Sequence, residues 1–555
     1  MQIIKAKKIY TMDNDLTVAT GMVVDAGKII EVGEFEELIT KYDCDVNQEY
    51  SDQFIFPGFI EPHSHIMGPC LLLGATTLID YKTWDCGKYG LFEACLTRDE
   101  MLSRLKHTFE TEDKELYAFF GYHKEYHGEL NRNSLDTLMK DKPVVIIFGT
   151  GHGAIMNTLG MEKFGFDQRD KTICGVGLDS NNDYTGVFCE QAFIPYMQGV
   201  LGALLSQEAL IEGARKYLEH SKIHGTVAFS EYAGGAAAPI EKEIPFYQQL
   251  IKEEYPVQIS YLIDYQSALQ SQKFDEDKTF DYVKKLIKEN QSEHFSVMNA
   301  LKFFYDGAVI DHQIKLSEPL TNGHSDDWNY KFGEHNINTF VKDVERYWKD
   351  GFDFYVHSQG DESQLKWAEH IKELNDLHKR EDYIASIQHF AFSNTEFFDY
   401  VKNNGLKMQI SALPRYVDVW PMWKSVGLYP EKFLKEEFLR LKDVLNEANH
   451  FELSFHNDAQ NNPTIPLYAV YKAVTRQPVD GDAIADGQNV DIISALKAIT
   501  INAAKQNRID SFLGSLVPEK RASFVVLDKD IVEENPEVLK DLKVAHLIME
   551  GKSVF

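Results

Sequence analysis

Short runs of β-forming residues alternate with long amphipathic stretches through most of this chain. That alternation restricts the fold more than any other feature. The runs are FIFPGFIEPHSH, VVIIFGTG, GTVAFSEY, VQISYLID, ALKFFYDG, FDFYVHSQGD, SIQHFAF, LKMQIS and FELSFHNDA. Between them lie segments of helical spacing, such as IEGARKYLEHSKIH and ESQLKWAEHIKELNDLHKR. A strand–helix rhythm places helices on the faces of a parallel sheet. About eight such units close a barrel. The fold class expected is therefore α/β: a (β/α)8 TIM-type barrel over residues 57–507. Residues of about 85–220 exceed what one βα unit needs and read as a large insertion on it.

The two ends have a different texture. Near the start, the apolar runs MVV and KIIEV flank Asp25-Ala26-Gly27. Near the finish, SFVVLDKD precedes VAHLIMEGKSVF, which turns at Glu550-Gly551. Tight turns of this chemistry between apolar runs mark hairpins. The expectation is that residues 1–56 and 508–555 meet in one small β-sandwich domain.

Composition narrows the partners. There are 57 Lys and Arg against 86 Asp and Glu, a formal charge of -29. Nucleic acid and anionic membrane surfaces repel such a chain. No run of about 18 apolar residues is present to span a bilayer. The N-terminal MQIIKAKKIYTMDND has no apolar core of a secretory leader. The six cysteines form no CxxC pair, which fits free thiols in a reducing compartment. A cytoplasmic protein acting on a small molecule is expected, with a homodimer as a fair prior for such barrels.

Polar residues fall at telling places within the runs. His63 and His65 follow FIFPGFIEP, His357 follows FDFYV, His389 follows SIQ and Asp458 follows FELSFHN. Each sits at or near the C-terminal end of a strand, where side chains of a βα barrel converge on one site. Lys302 lies inside the strand ALKFFYDG. With 19 histidines in 555 residues, a lone His-x-His pair carries little weight. The ordered set carries it, because a metal centre needs several donors from separate elements.

Those residue types suit one chemistry. Residues i and i+2 of a strand point the same way, so His63 and His65 can address one ion. Neutral imidazole and carboxylate suit Zn²⁺, Mn²⁺, Fe²⁺ or Ni²⁺. A catalytic ion keeps one position for a water whose pKa falls to near 7, and a neighbouring carboxylate can take its proton. A lysine aimed inward among cations is unfavourable as an ammonium. Carbamylated by CO₂, it becomes an anionic ligand.

The same residues, in the same order, resemble the amidohydrolase superfamily, and within it the branch containing N-substituted formamide deformylases. PGFIEPHSH (57–65) resembles the strand-one metal motif, and KFFYDG (302–307) the lysine strand. HSQGDES (357–363) and QHF (388–390) match the third and fourth histidine positions, and HNDA (456–459) the aspartate. GHGAIMNTLG (151–160) and GVGLDSNNDYTGVFCE (175–190) resemble insertion motifs of that branch, and LGSLVPEKRASFVVLD (513–528) the return into the β domain.

The resemblance implies a divalent metal, Zn²⁺ foremost, as one or two ions. It implies that His63, His65 and Asp458 bind the first and that His357 and His389 bind the second. Lys302, as a carbamate, would bridge them, and Asp458 would shuttle the proton. His152 and Glu190 become candidate substrate contacts. The activity implied is hydrolysis of a non-peptide C–N bond, amide or formamide, in a small molecule. Two other readings stand beside it: hydrolytic deamination at a single ion, and a non-catalytic binding or regulatory protein on the same scaffold. The chain departs from the family pattern where His456-Asn457-Asp458 replaces Gly-Ser-Asp, and where Glu231 replaces an aspartate.

Overall fold

The computed structural model describes residues 1–555 except 174, 190, 191, 194, 195, 205, 253, 254, 311, 324–330, 333, 334, 447, 448 and 450. Its centre is a parallel eight-stranded sheet. The strands are β1 (Phe59–Ser64), β2 (Thr226–Gly234), β3 (Gln258–Asp264), β4 (Phe295–Phe304), β5 (Asp353–Ser358), β6 (Ala385–His389), β7 (Met408–Ala412) and β8 (Phe451–Phe455). They neighbour one another in chain order from β1 to β8, all parallel. Helices follow the strands, among them Met67–Ala75, Ile240–Leu250, Asp361–Leu377 and Pro466–Thr475. This is the barrel expected from the strand–helix rhythm.

β1 and β8 stand at the two ends of the sheet order, and other groups join them. The His65 amide donates to the carbonyl of Ala459, just beyond β8. The Glu61 carboxylate accepts from the Asn457 backbone amide at 2.8 Å and from its side-chain amide at 2.7 Å.

Alternation along the strands fills the interior. Tyr232, Leu262, Met298, Ala300, Tyr355 and Ile384 form a buried cluster of their own. Tyr355 shares a face of β5 with His357, and Ala300 a face of β4 with Lys302, because residues two apart point the same way. The apolar cluster thus makes a floor, and the polar residues stand one layer nearer the C-terminal ends.

Two further sheets flank the barrel. Strands from both ends of the chain, including Gln2–Tyr10, Val18–Asp25, Lys28–Gly33, Phe54–Pro57, Phe524–Leu527 and His546–Met549, share one eight-stranded sheet. Its core holds Ile4, Ile9, Met22, Val24, Phe524 and Ile548. Both hairpin turns adopt the left-handed backbone of the primed two-residue type, with φ of 47° and 81° at Ala26 and Gly27, and 49° and 75° at Glu550 and Gly551. They lie together, since a side chain at Gly27 would stand 3.2 Å from Glu550.

The run FIFPGFIEPHSH serves two sheets, breaking at Gly58 into Phe54–Pro57 and β1. A Cβ at Gly58 would lie 2.2 Å from Val227, so only glycine permits the passage. The run VVIIFGTG belongs to the second sheet. That sheet has six strands, from Thr77–Leu78 through Tyr117–Tyr122, Val144–Phe148, Gly153–Met156 and Tyr184–Cys189 to Val176–Leu178 in spatial order. Among the described residues no helix is long and apolar enough to cross a membrane.

Candidate metal centre

The fold brings the sequence-identified donors to one end of the barrel. His63 and His357 are the next-to-last residues of β1 and β5, His389 closes β6, and Asp458 follows β8. His65 lies one residue past the end of β1, and Lys302 lies near the end of β4. Asp458 Oδ1 is 3.5 Å from Nε2 of both His63 and His65. Asp458 Oδ2 is 3.8 Å from His389 Nδ1. The His357 and His389 ring centres are 4.3 Å apart, and those of His63 and His389 4.7 Å.

At this end of the barrel two triads among the described residues can each place one donor atom per residue within 4.8 Å of the others: His63, His65 and Asp458, and His63, His389 and His456. His456 was legible only as a departure from the family pattern. The structure puts it inside the cluster.

Hydrogen bonds decide which ring nitrogen is available. His63 Nδ1 lies 2.8 Å from Gln388 Oε1. The amide oxygen can only accept, so Nδ1 carries the proton and Nε2 keeps its lone pair. Gln388 is itself held by its amide donating to Ser386 Oγ at 2.7 Å. His357 Nε2 lies 3.1 Å from the Gly307 carbonyl and 3.0 Å from the side-chain amide nitrogen of Gln359. His65 Nδ1 stands 3.5 Å from Glu231 Oε1, and the Tyr247 hydroxyl anchors the other oxygen of Glu231 at 2.6 Å. Such outer partners set ring orientation and tautomer.

Burial disfavours the charged forms of four histidines and of Lys302 at the site. It depresses His63, with the charges of Lys302 and His456 adding to the effect. It likewise depresses His357, His389 and His456. Burial also pushes the Lys302 ammonium down to about 7, against the opposing pull of Asp458 and Asp264. Neutral imidazoles and a neutral lysine are the forms that metal binding and carbamylation require.

Buried polar atoms normally find partners. Here His63 Nε2, His389 Nε2, Asp458 Oδ1 and Lys302 Nζ have no hydrogen-bond partner. A set of lone pairs and one amine whose ammonium form burial disfavours, turned into one enclosed place, fits a divalent cation.

The insertion residues divide. Asn157 caps the helix Thr158–Phe164 by accepting from the Gly160 amide at 2.8 Å, and it also accepts from the Val144 amide at 2.9 Å. Its own amide donates to the carbonyls of Met139 and Lys142 at 2.8 and 2.9 Å. All its capacity is used in building the insertion. His152 is half-buried, and a positive charge on it would add to the depression of His357. Glu190 lies outside the described residues.

Sequence reasoning missed Glu61, Gln388 and Ser411. Glu61 left a trace, as a charged residue two positions before His63 in an otherwise apolar run, and Gln388 stands in the QHF motif without a role assigned to it.

The comparisons with known proteins agree with the fold. A 23% identical relative, the protein LONG AFTER FAR-RED 3 of Arabidopsis thaliana, covers 95% of this chain and 87% of its own. The N-substituted formamide deformylase of Arthrobacter pascens is 22% identical over 99% of this chain and 97% of its own. A crystal structure of an uncharacterized metal-dependent hydrolase from Pyrococcus horikoshii OT3 matches in fold with a TM-score of 0.71, at 18% identity, covering 97% of this chain and 99% of that one. The profile of the amidohydrolase family matches residues 51–555, nearly the whole length, and the chain belongs to that family.

Proposed function

We propose that this chain is a metal-dependent hydrolase that cleaves a non-peptide C–N bond, of amide or formamide type, in a small molecule. The observation that carries the reading is the convergence of four buried atoms without hydrogen-bond partners, on His63, His389, Asp458 and Lys302, at the C-terminal end of the barrel. Membership of the amidohydrolase family supports it. So does the end-to-end likeness to a relative named as a formamide deformylase.

His63 and His65, with Asp458, would hold one cation. His357 and His389 would hold a second, with Lys302 as a carbamate between them. Zn²⁺ suits this donor set. A cation in this place supplies a water that ionises near neutral pH and polarises a carbonyl oxygen. Asp458 takes the proton of the attacking water and returns it to the departing nitrogen. Gln388 and Glu231 keep the rings of His63 and His65 in the binding tautomer. His152, from the insertion, meets the substrate above the centre. The surrounding apolar floor keeps bulk water away and strengthens each electrostatic contact.

The test is metal analysis of the purified chain after supplementation with Zn²⁺ or Mn²⁺, with a screen of formamides, amides and esters. Bound metal, hydrolysis of an amide or formamide, and loss of both in a folded His65→Ala variant support the reading. No metal uptake sinks it.

A further inference from the structure

His456 stands where the family pattern has glycine, and the tertiary structure gives it two contacts with candidate ligands. Its Nε2 lies 3.1 Å from His389 Nδ1, and its Nδ1 lies 2.9 Å from Ser411 Oγ. Its ring also stacks on His63, with centres 4.7 Å apart and planes 15° apart. The Tyr232 ring also stacks on His63, at 4.6 Å and 23°. His63 therefore packs against two rings.

We infer that His456 is a positioning residue that sets both His389 and His63 for metal binding, and not a ligand itself. This rests on the metal-centre reading above. Only one proton fits between His389 Nδ1 and His456 Nε2. If it sits on His456, the proton of His389 is on Nε2 and blocks that lone pair. If it sits on His389, Nε2 becomes a donor to a cation, and His456 accepts. His456 then carries its own proton on Nδ1 and donates it to Ser411. His389 Nε2 is the buried atom without a partner, so the second arrangement is the one that a cation selects. Both ring nitrogens of His456 are thereby engaged, which separates it from the ligands. The stacked face adds a restraint on the rotation of His63 about its side-chain torsions. Outer partners of this kind affect metal affinity roughly 10- to 100-fold.

The experiment measures Co²⁺ and Zn²⁺ affinity by competition with a chromophoric chelator, together with the visible spectrum of the Co²⁺ form. Circular dichroism and thermal unfolding verify each variant's fold. His456→Ala is expected to weaken binding roughly 10- to 100-fold with unchanged stoichiometry and a retained Co²⁺ band. His456→Phe keeps the stack without the acceptor and is expected to remain weakened. His456→Gln keeps an acceptor and is expected to recover part of the loss. Ser411→Ala is expected to cost a few-fold in the natural background and nothing beside His456→Ala. Unchanged affinity in both His456→Ala and His456→Phe overturns the inference. So does loss of one metal equivalent or of the Co²⁺ band, which would make His456 a ligand. No uptake by the natural chain overturns the metal-centre reading and this inference with it. Normal uptake with indifferent variants overturns the inference alone.

Discussion

The carboxylate of Glu61 and the backbone and side-chain amides of Asn457 form a two-bond clamp, at 2.8 and 2.7 Å, across the seam between the first and last barrel strands. The clamp lies two residues before His63 and one before Asp458, so it sets their 3.5 Å approach. Burial pushes the Glu61 carboxyl up to about 8, although the two Asn457 hydrogen bonds oppose the shift.

Glu61→Ala leaves both Asn457 donors buried and unpaired, which costs about 2–4 kcal/mol of stability. Metal affinity is expected to fall with it. Glu61→Gln accepts at one oxygen only and is expected to lie between the two. Denaturant unfolding of the metal-free chain and chelator competition measure the two effects separately. An unaffected Glu61→Ala variant would show that the seam holds without the clamp.

Lys302→Ala removes the proposed bridge. Metal content is expected to drop from two ions per chain to one, while the fold persists because the Nζ atom makes no hydrogen bond. Elemental analysis decides it. A wild-type chain that takes up a single ion would refute the bridging role and favour hydrolytic deamination.

Asn157→Ala separates architecture from catalysis. The variant loses a helix cap and leaves the Val144 amide and two carbonyls without their partner, a cost of about 2–4 kcal/mol. Metal affinity should be unchanged, since every hydrogen bond of Asn157 lies within the insertion. Thermal unfolding and metal titration report the two quantities. A selective loss of metal would give Asn157 a role that its contacts do not.

His370 supplies a pH dependence away from the centre. Burial depresses it from 6.5 to about 4, with Lys366 adding to the shift. Tyr305 holds its Nδ1 at 2.6 Å. The folded value lies below the unfolded one, so the contribution is complete above pH 6.5 and is lost as pH falls towards 4. The full span corresponds to roughly 3 kcal/mol. His370→Gln cannot titrate, so its stability should fall less steeply than the natural chain's between pH 7 and 4.5. Denaturant curves measured over that pH range check it, and an equal fall in the two proteins would show that the shift is absent.

Much of this was legible in the linear chain. His63 and His65 are two residues apart on one strand, and a period of two places both on one side whatever the rest of the fold does. The strand–helix rhythm dictates a parallel sheet because helices must bury one stripe against it. From that sheet it follows that His357, His389, Lys302 and Asp458 gather at its C-terminal ends. The hairpin turns at Gly27 and Gly551 were legible for the same local reason, since a tight turn demands a backbone that few residues adopt.

Tertiary structure alone decided which atoms of these residues face one another. Gln388 is separated from His63 by 325 residues, yet it selects the nitrogen that His63 leaves free. Glu61 and Asn457 are 396 residues apart, and closing the seam pairs them. Asn157 matched a motif by sequence, but its four hydrogen bonds commit it to architecture. His456 was an anomaly in the sequence and became a partner of two histidines only when β6, β8 and β1 were brought together. Periodicity is a property of a few neighbouring residues and can be read along the chain. Tautomer, stacking and the pairing of buried donors depend on contacts a few ångströms long between distant segments, and those exist only once the barrel has closed.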